Sequence, residues 1–236
     1  MSHKTLLGVW AHPDDETWLC AGLMARAAAA GDRVVCITAT RGELGSPDEE
    51  RWPSGAPLAA VRTAEMASAL AVLGVTEHHW LDYPDGGCAE VDQDEAVRRV
   101  TEVMTEVQPD TVLTFGPDGG TYHPDHMAVS RWVSAAAAES QARVLHQAQT
   151  PEWQERMSAV VPLEFVMMAD RPPVAYTPEE CAFLLEATGD ALDEKYRALL
   201  CQESQVGPLL SLAGPDLYRQ MLALEAFTNE RPPLVD

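Results

Sequence analysis

Two short segments carry the residue types that a hydrolytic metal centre needs. Ala11-His12-Pro13-Asp14-Asp15-Glu16 sets a histidine beside three carboxylates, and Tyr122-His123-Pro124-Asp125-His126 sets two histidines around a fourth. Proline holds φ near about −65°, and a histidine and an aspartate three residues apart across such a turn can converge on one cation. Alone, the first segment reads equally well as a solvated acidic turn capping the next helix, where aspartate is favoured and interacts well with the helix dipole. The second cluster tips that balance. A His-His-Asp set with open positions is the ligand count of a catalytic zinc site, whereas structural zinc is closed by four protein ligands. The expectation is one divalent ion between His12, Asp15 and His126. It is Zn²⁺ first, although histidine and carboxylate donors also accept Fe²⁺ or Co²⁺. Asp14 sits beside a ligand without being needed as one, so it would take a proton from a water acidified by the metal. His123, if protonated, would stabilise an oxyanion or pass a proton to a leaving amine, with Asp125 orienting it.

Parallel strands can bring the two segments together. Thr5 to Ala11 reads as a first strand, Thr17 to Ala30 as a helix stopped by Gly31, and Arg33 to Thr38 as a second strand. A loop of three Gly and three Pro spans Arg41 to Pro57, followed by a helix from Leu58 to Leu73 and a third strand from His78 to Leu81. After a Pro/Gly loop, Asp82 to Cys88, come a helix from Asp92 to Val107, a fourth strand from Thr111 to Phe115 and a helix from His123 to Glu139. Strands alternating with helices predict α/β architecture, a Rossmann-like parallel sheet flanked by helices. Both motifs then lie at the C-terminal ends of strands, where such sheets bind ligands. The pattern weakens beyond Ala142. Ser158 to Met168 carries strand-like apolar runs, while Asp190 to Gln205 and Pro215 to Phe227 read as helices. The expected organisation is a single domain over 1–236, with a Rossmann-like core to residue 150 and a divergent extension over 151–236.

Composition narrows the partners. A formal charge of −21, from 37 acidic and 16 basic residues, repels phosphate backbones and anionic lipid headgroups, which argues against nucleic acid and membrane surfaces. Lys4 and Lys195 are the only lysines. Five widely spaced cysteines without a C-x-x-C pair argue against a disulfide framework and for a reducing compartment. No apolar run approaches the ~20 residues needed to span a bilayer. The expected location is cytoplasmic, and a homo-oligomer is compatible with the sequence. The remaining histidines have plainer readings. His78 and His79 are adjacent in a strand and point to opposite faces, so neither is expected to bind metal. His3 and His146 are read as surface residues.

The same motifs resemble the LmbE-like and PIG-L-like metal-dependent N-acetylglucosaminyl de-N-acetylases. The resemblance extends to Thr40-Arg41-Gly42-Glu43, to Arg62 and Glu65 before Leu73-Gly74-Val75, and to Gly116-Pro117-Asp118-Gly119. It implies hydrolysis of an acetyl or other acyl amide on a small amino-sugar, with His12, Asp15 and His126 as ligands, Asp14 as base and His123 as electrophile. It also implies that Glu43 and Arg62 reach the substrate. Near the C-terminus, Lys195, Ala198, Leu199, Ser204 and Gln205 keep the family spacing, but Gln202 stands where the family has histidine. The charge favours a neutral sugar conjugate over an anionic one. Two other readings compete with hydrolysis: a 2-His-1-carboxylate iron oxygenase, disfavoured by the α/β pattern, and a metal-binding protein without catalysis, disfavoured by the complete set of catalytic groups.

Overall fold

The computed structural model describes residues 3–229. Five parallel strands form the body of one sheet: β1 (Thr5–Trp10), β2 (Arg33–Thr40), β3 (Glu77–Tyr83), β4 (Thr111–Thr114) and β5 (Arg143–Gln147). Strands β6 (Phe183–Glu186) and β7 (Leu224–Thr228) complete it, giving the order β3-β2-β1-β4-β5-β7-β6. β7 runs antiparallel to both β5 and β6. Seven of the eight β2 residues are buried, the continuous burial expected of a strand covered on both faces.

The helices connecting the parallel strands are α1 (Asp15–Ala29), α2 (Ala56–Val72), α3 (Gln93–Val107) and α4 (Pro124–Ala136). Capping and periodicity explain α3 locally. The Asp92 carboxylate accepts from the Glu95 amide at 2.9 Å, which satisfies a first-turn donor. Ala96, Val100, Met104 and Val107 then form one buried stripe. Between β1 and β4 the strand order reverses direction, which opens a crevice beyond their C-terminal ends. Both sequence motifs emerge there, one after Trp10 and the other after the loop that follows Thr114.

Beyond residue 150 the structure departs from the sequence reading. Its strands β6 and β7 extend the same sheet, and the differences lie in the local elements. Ser158 to Met168 holds no strand: it comprises the end of α5 (Pro151–Ser158) and a 3₁₀ turn at Leu163–Phe165. After α6 (Gly189–Leu200), helix α7 (Glu203–Leu222) kinks at Gly214, whose φ is 70°. Residues 224–227, expected to be helical, belong to strand β7 (Leu224–Thr228) instead. The reason is tertiary. Glu225, a helix former by propensity, is buried against Lys195 at 2.7 Å and accepts from the Gly22 and Leu23 amides of α1. His146 likewise proves to be no surface residue, being 3% exposed on β5 with Nδ1 at 3.0 Å from the Phe115 carbonyl.

Candidate metal centre and active site

Two sharp turns aim the functional side chains. Asp14 adopts φ 104°, ψ −31°, a conformation that non-glycine residues avoid and that functional sites often retain. It is held by its neighbours: its carbonyl accepts from Trp18 N at 2.9 Å and Thr17 Oγ1 at 2.7 Å, and its amide donates to Glu16 Oε2 at 3.2 Å. Tyr122, just before the second motif, also has positive φ, 61°. Asp15 thereby becomes the first residue of α1, two positions earlier than the sequence pattern places the helix start. His126 falls in the first turn of α4.

At the crevice the three expected ligands meet. His12 Nδ1 lies 3.2 Å from His126 Nε2 and 3.6 Å from Asp15 Oδ2, and His126 Nε2 lies 3.4 Å from Asp15 Oδ1. The outer partners assign the tautomers. His126 Nδ1 stands 3.0 Å from the Gly119 carbonyl, which can only accept, so Nε2 carries the lone pair. His12 Nε2 faces Asp85 Oδ1 at 3.1 Å and Asp125 Oδ2 at 3.2 Å. It must donate there, which turns the Nδ1 lone pair inward. Two imidazole lone pairs and a carboxylate converging within 3.6 Å repel one another unless a cation or proton sits among them. Imidazoles anchored by carboxylate or carbonyl on their outer nitrogens are the usual arrangement of metal ligands, so the donor set fits a divalent metal.

Electrostatics follow from this crowding. Burial works against charge on His12, yet Asp125, Asp15 and Asp85 hold its imidazole well above the ordinary range. Burial pushes His126 down to about 4, with His12 and His123 adding repulsion against the pull of Asp15. For Asp15 burial is outweighed by the imidazoles of His126 and His12, which hold the carboxyl well below its usual range. Burial raises Asp14 to about 7, opposed by Arg62 and reinforced by Asp15. A base near neutrality suits proton transfer at physiological pH.

His123 and Asp125 are arranged differently from the sequence expectation. His123 caps α4, with Nδ1 accepting from the Asp125 amide at 3.1 Å, so the ring proton resides on Nε2. Burial and the neighbouring His12 lower its pKa. It is a neutral donor rather than an imidazolium. One ring nitrogen of His123 lies within 4.8 Å of ligand atoms on both His12 and His126, near enough to meet a group bound there. The Asp125 carboxylate anchors His12 instead of His123, because Gly86 N and Cys88 N hold it from the opposite loop at 2.8 and 3.0 Å.

Asp85 is the functional residue that sequence reasoning missed. It anchors His12 Nε2 while its other oxygen accepts from the Leu44 amide at 2.8 Å. Its signal was present, an aspartate in a Pro-Asp-Gly-Gly turn at the end of a parallel strand. His12, Asp85 and Asp125 also group closely, but the carboxylates are occupied by backbone amides and serve His12 rather than a second ion.

Arg62 is 4% exposed and donates to Gly42 O at 2.9 Å, to Pro13 O and to Asp14 Oδ2 at 3.3 Å. These contacts brace the turn at Asp14, while the Arg62 Nε is buried without a hydrogen-bond partner. Glu43 accepts from the Asp85 amide through Oε1 at 3.0 Å, and its Oε2 is buried with no hydrogen-bond partner. Gln202, at the position of the family histidine, is 1% exposed and donates to Glu16 Oε1 at 3.1 Å and Thr17 Oγ1 at 2.9 Å. It supports the base of α1 behind the ligands. His78 stays outside the site, with Nε2 at 2.9 Å from Thr38 Oγ1 and its ring edge-on to Trp80.

The family model described as PIG-L: GlcNAc-PI de-N-acetylase matches residues 7–137. The chain belongs to this family. The PIG-L match runs from within β1 through α4 and contains every residue of the centre. A relative from Kineococcus radiotolerans, named 1D-myo-inositol 2-acetamido-2-deoxy-alpha-D-glucopyranoside deacetylase, is 39% identical over 53% of this chain and 42% of its own length. The chain thus spans less than half of that relative. Among solved structures, N,N'-diacetylchitobiose deacetylase from Pyrococcus horikoshii shares the fold with TM-score 0.65 and 22% identity, over 99% of this chain and 88% of that one. A Pseudomonas putida 4-carboxy-2-hydroxymuconate hydratase superposes as well, with TM-score 0.67 and 20% identity, over 99% and 98%. The PIG-L fold therefore does not specify the reaction, and function must be argued from the site.

Proposed function

We propose that this chain is a metal-dependent hydrolase that removes an acetyl or other acyl group from the amino group of a glucosaminyl conjugate. The observation that carries the reading is the convergence of the His12 Nδ1 and His126 Nε2 lone pairs on the Asp15 carboxylate, with Asp14 beside them on a strained turn. A divalent cation held by His12, Asp15 and His126, zinc being the first choice for these donors, would polarise the amide carbonyl and acidify a water.

The chain's own residues do the rest. Asp14 accepts the proton of the attacking water, and the water oxygen bonds to the carbonyl carbon. The Nε2–H of neutral His123 donates to the carbonyl oxygen as it gains negative charge, a role a preorganised neutral donor performs without reorganisation. As the C–N bond breaks, Asp14 returns the proton to the leaving nitrogen, so carboxylate and amine are the products. Glu43 Oε2 retains an acceptor for a sugar hydroxyl. Asp85 and Asp125 keep His12 in its tautomer, and Arg62 keeps Asp14 ionisable.

The inositol glucosaminide named for the Kineococcus relative is the first substrate to try, being a neutral sugar conjugate suited to an acidic protein. We place the reaction in the cytoplasm, since Cys20, Cys36 and Cys88 are free and buried, as suits a reducing compartment. Among the described residues, no helix is long and apolar enough to cross a membrane. The test is amine release from N-acetylglucosaminyl conjugates by metal-depleted protein reloaded with Zn²⁺. Release should require the metal and fall about 10²–10⁴-fold in Asp14→Asn. Hydration of an unsaturated acid without amine release would overturn the reading in favour of the hydratase chemistry that this fold also hosts.

A further inference from the structure

Beside the centre lies a cavity of about 230 Å³. Its floor includes Asp15, His126 and Phe115, whose ring stacks on His126 with centroids 4.1 Å apart. Its roof is Trp153, Met157, Val161, Val166 and Leu209, so what the cavity offers a ligand is apolar surface. Gln149, one of the few polar groups on its wall, is committed to the Gly120 carbonyl at 2.7 Å. Asp14, Glu43, Arg62 and Asp85, the polar and charged groups on the other side of the centre, are all absent from this lining and cluster around the loop over 41–45 instead, where Glu43 Oε2 is the carboxylate oxygen left without a partner. The two flanks differ chemically, and an amide held at the centre must point its two substituents in different directions. The amino sugar belongs on the polar flank, and the acyl group on the apolar one.

The cavity is larger than an acetyl methyl requires. At about 30 Å³ for each water-sized group, it holds roughly seven or eight heavy atoms. Its roof comes from residues 153–166 and from Leu209, outside the family match over 7–137, so this part of the pocket belongs to the chain's divergent third. Met168, 62% exposed, donates its amide to the carbonyl of Thr121, a lining residue, at 2.7 Å.

We propose that this cavity receives the acyl chain, and that the protein hydrolyses N-acyl amino sugars with straight tails of about six to eight carbons in preference to N-acetyl ones. The inference rests on the hydrolase reading above, and water cleaves the same C–N bond to give a longer carboxylate and the same amine. Each buried methylene is worth about fourfold in binding.

The test compares kcat/KM for N-acetyl-, N-butanoyl-, N-hexanoyl-, N-octanoyl- and N-dodecanoylglucosamine on the zinc-loaded full chain. It is paired with tryptophan-fluorescence titration of the metal-depleted protein by the acetyl and octanoyl compounds, since Trp18 and Trp153 line the cavity. The expected result is a rise of at least tenfold from acetyl to hexanoyl or octanoyl, a fall at dodecanoyl, and octanoyl binding at least tenfold tighter than acetyl. In Leu209→Trp, which fills half-buried space, the octanoyl-to-acetyl ratio should drop at least tenfold. A best rate on acetyl with equal affinities, or a chain-length preference unchanged by Leu209→Trp, would overturn the assignment while leaving the hydrolase reading intact. Amine release from none of the compounds would instead refute the hydrolase reading, and the fluorescence titration would still decide whether the cavity binds an acyl chain.

Discussion

Replacing Arg62 with methionine separates an electrostatic role from a structural one. The guanidinium lies 3.3 Å from Asp14 Oδ2, with both side chains mostly buried. At that distance and an effective dielectric of about 20, two unit charges attract by about 5 kcal/mol, an upper bound on what Arg62 contributes to keeping Asp14 ionised. Opposite charges so close move a carboxyl pKa by about 1–3 units. Removing the cation should therefore carry the acid limb of the pH–rate profile upward by about 1–3 units, wherever bound metal sets its starting point. From a value of about 7, a one-unit rise cuts the ionised fraction at pH 7 from about one half to about one eleventh. Activity at pH 7 falls about fivefold or more and recovers toward pH 9. Methionine also strips donors from Pro13 O and Gly42 O, so stability should drop by about 3–5 kcal/mol, the cost of leaving one partner of a buried pair uncompensated. The assay is kcat/KM from pH 5 to 10 on protein shown to be folded by its thermal transition, with Arg62→Lys as the variant that keeps the charge. A loss equal at every pH, or a limb that does not move, would refute the electrostatic argument and leave Arg62 as a brace alone.

Other perturbations test the remaining physics. Saturating Zn²⁺ at about 100 times its dissociation constant should stabilise the native state by about 2.7 kcal/mol, seen as a raised Tm that is absent in His126→Ala. Lys195→Met leaves Glu225 buried without its cation and should cost about 3–5 kcal/mol in urea denaturation. Adding Glu225→Gln should restore part of that loss. His78 is held down at about 4, chiefly by burial, against an ordinary value of about 6.5. A base whose folded pKa is depressed loses stability as pH falls, here through the window from about 6.5 to 4 and by up to about 3 kcal/mol. Denaturant midpoints at pH 4.5 and 7.5 should therefore differ less in His78→Gln than in the unaltered chain.

The first half of the molecule was legible because its signals are local. Strands with continuous apolar runs, glycine at the end of α1 and a helical stripe on α3 each report short-range geometry. The C-terminal third was not legible, because contacts from elsewhere decide its structure. Leu224 to Phe227 reads as the end of a helix, yet the pairing of Phe227 with Gln147 and the burial of Glu225 under α1 make it a strand. His146 looked peripheral because β5 is short and follows a weakly patterned stretch.

The candidate ligands could be named from residue type and spacing, since a His-x-x-Asp turn and a His-x-x-His segment (His123 to His126) at strand ends are properties of the chain itself. Their orientation could not. Which His12 nitrogen faces inward, that Asp125 serves His12 and not His123, and that Asp85 joins from the loop after β3 are set by atoms more than thirty residues apart, while the orientation of His126 and the His123 cap depend on turn geometry that residue spacing alone does not give. The sequence by itself determined which groups could do the chemistry. Only the tertiary structure decided which lone pairs converge and which flank is apolar, because hydrogen-bond direction and cavity shape depend on packing between segments that the sequence does not place side by side.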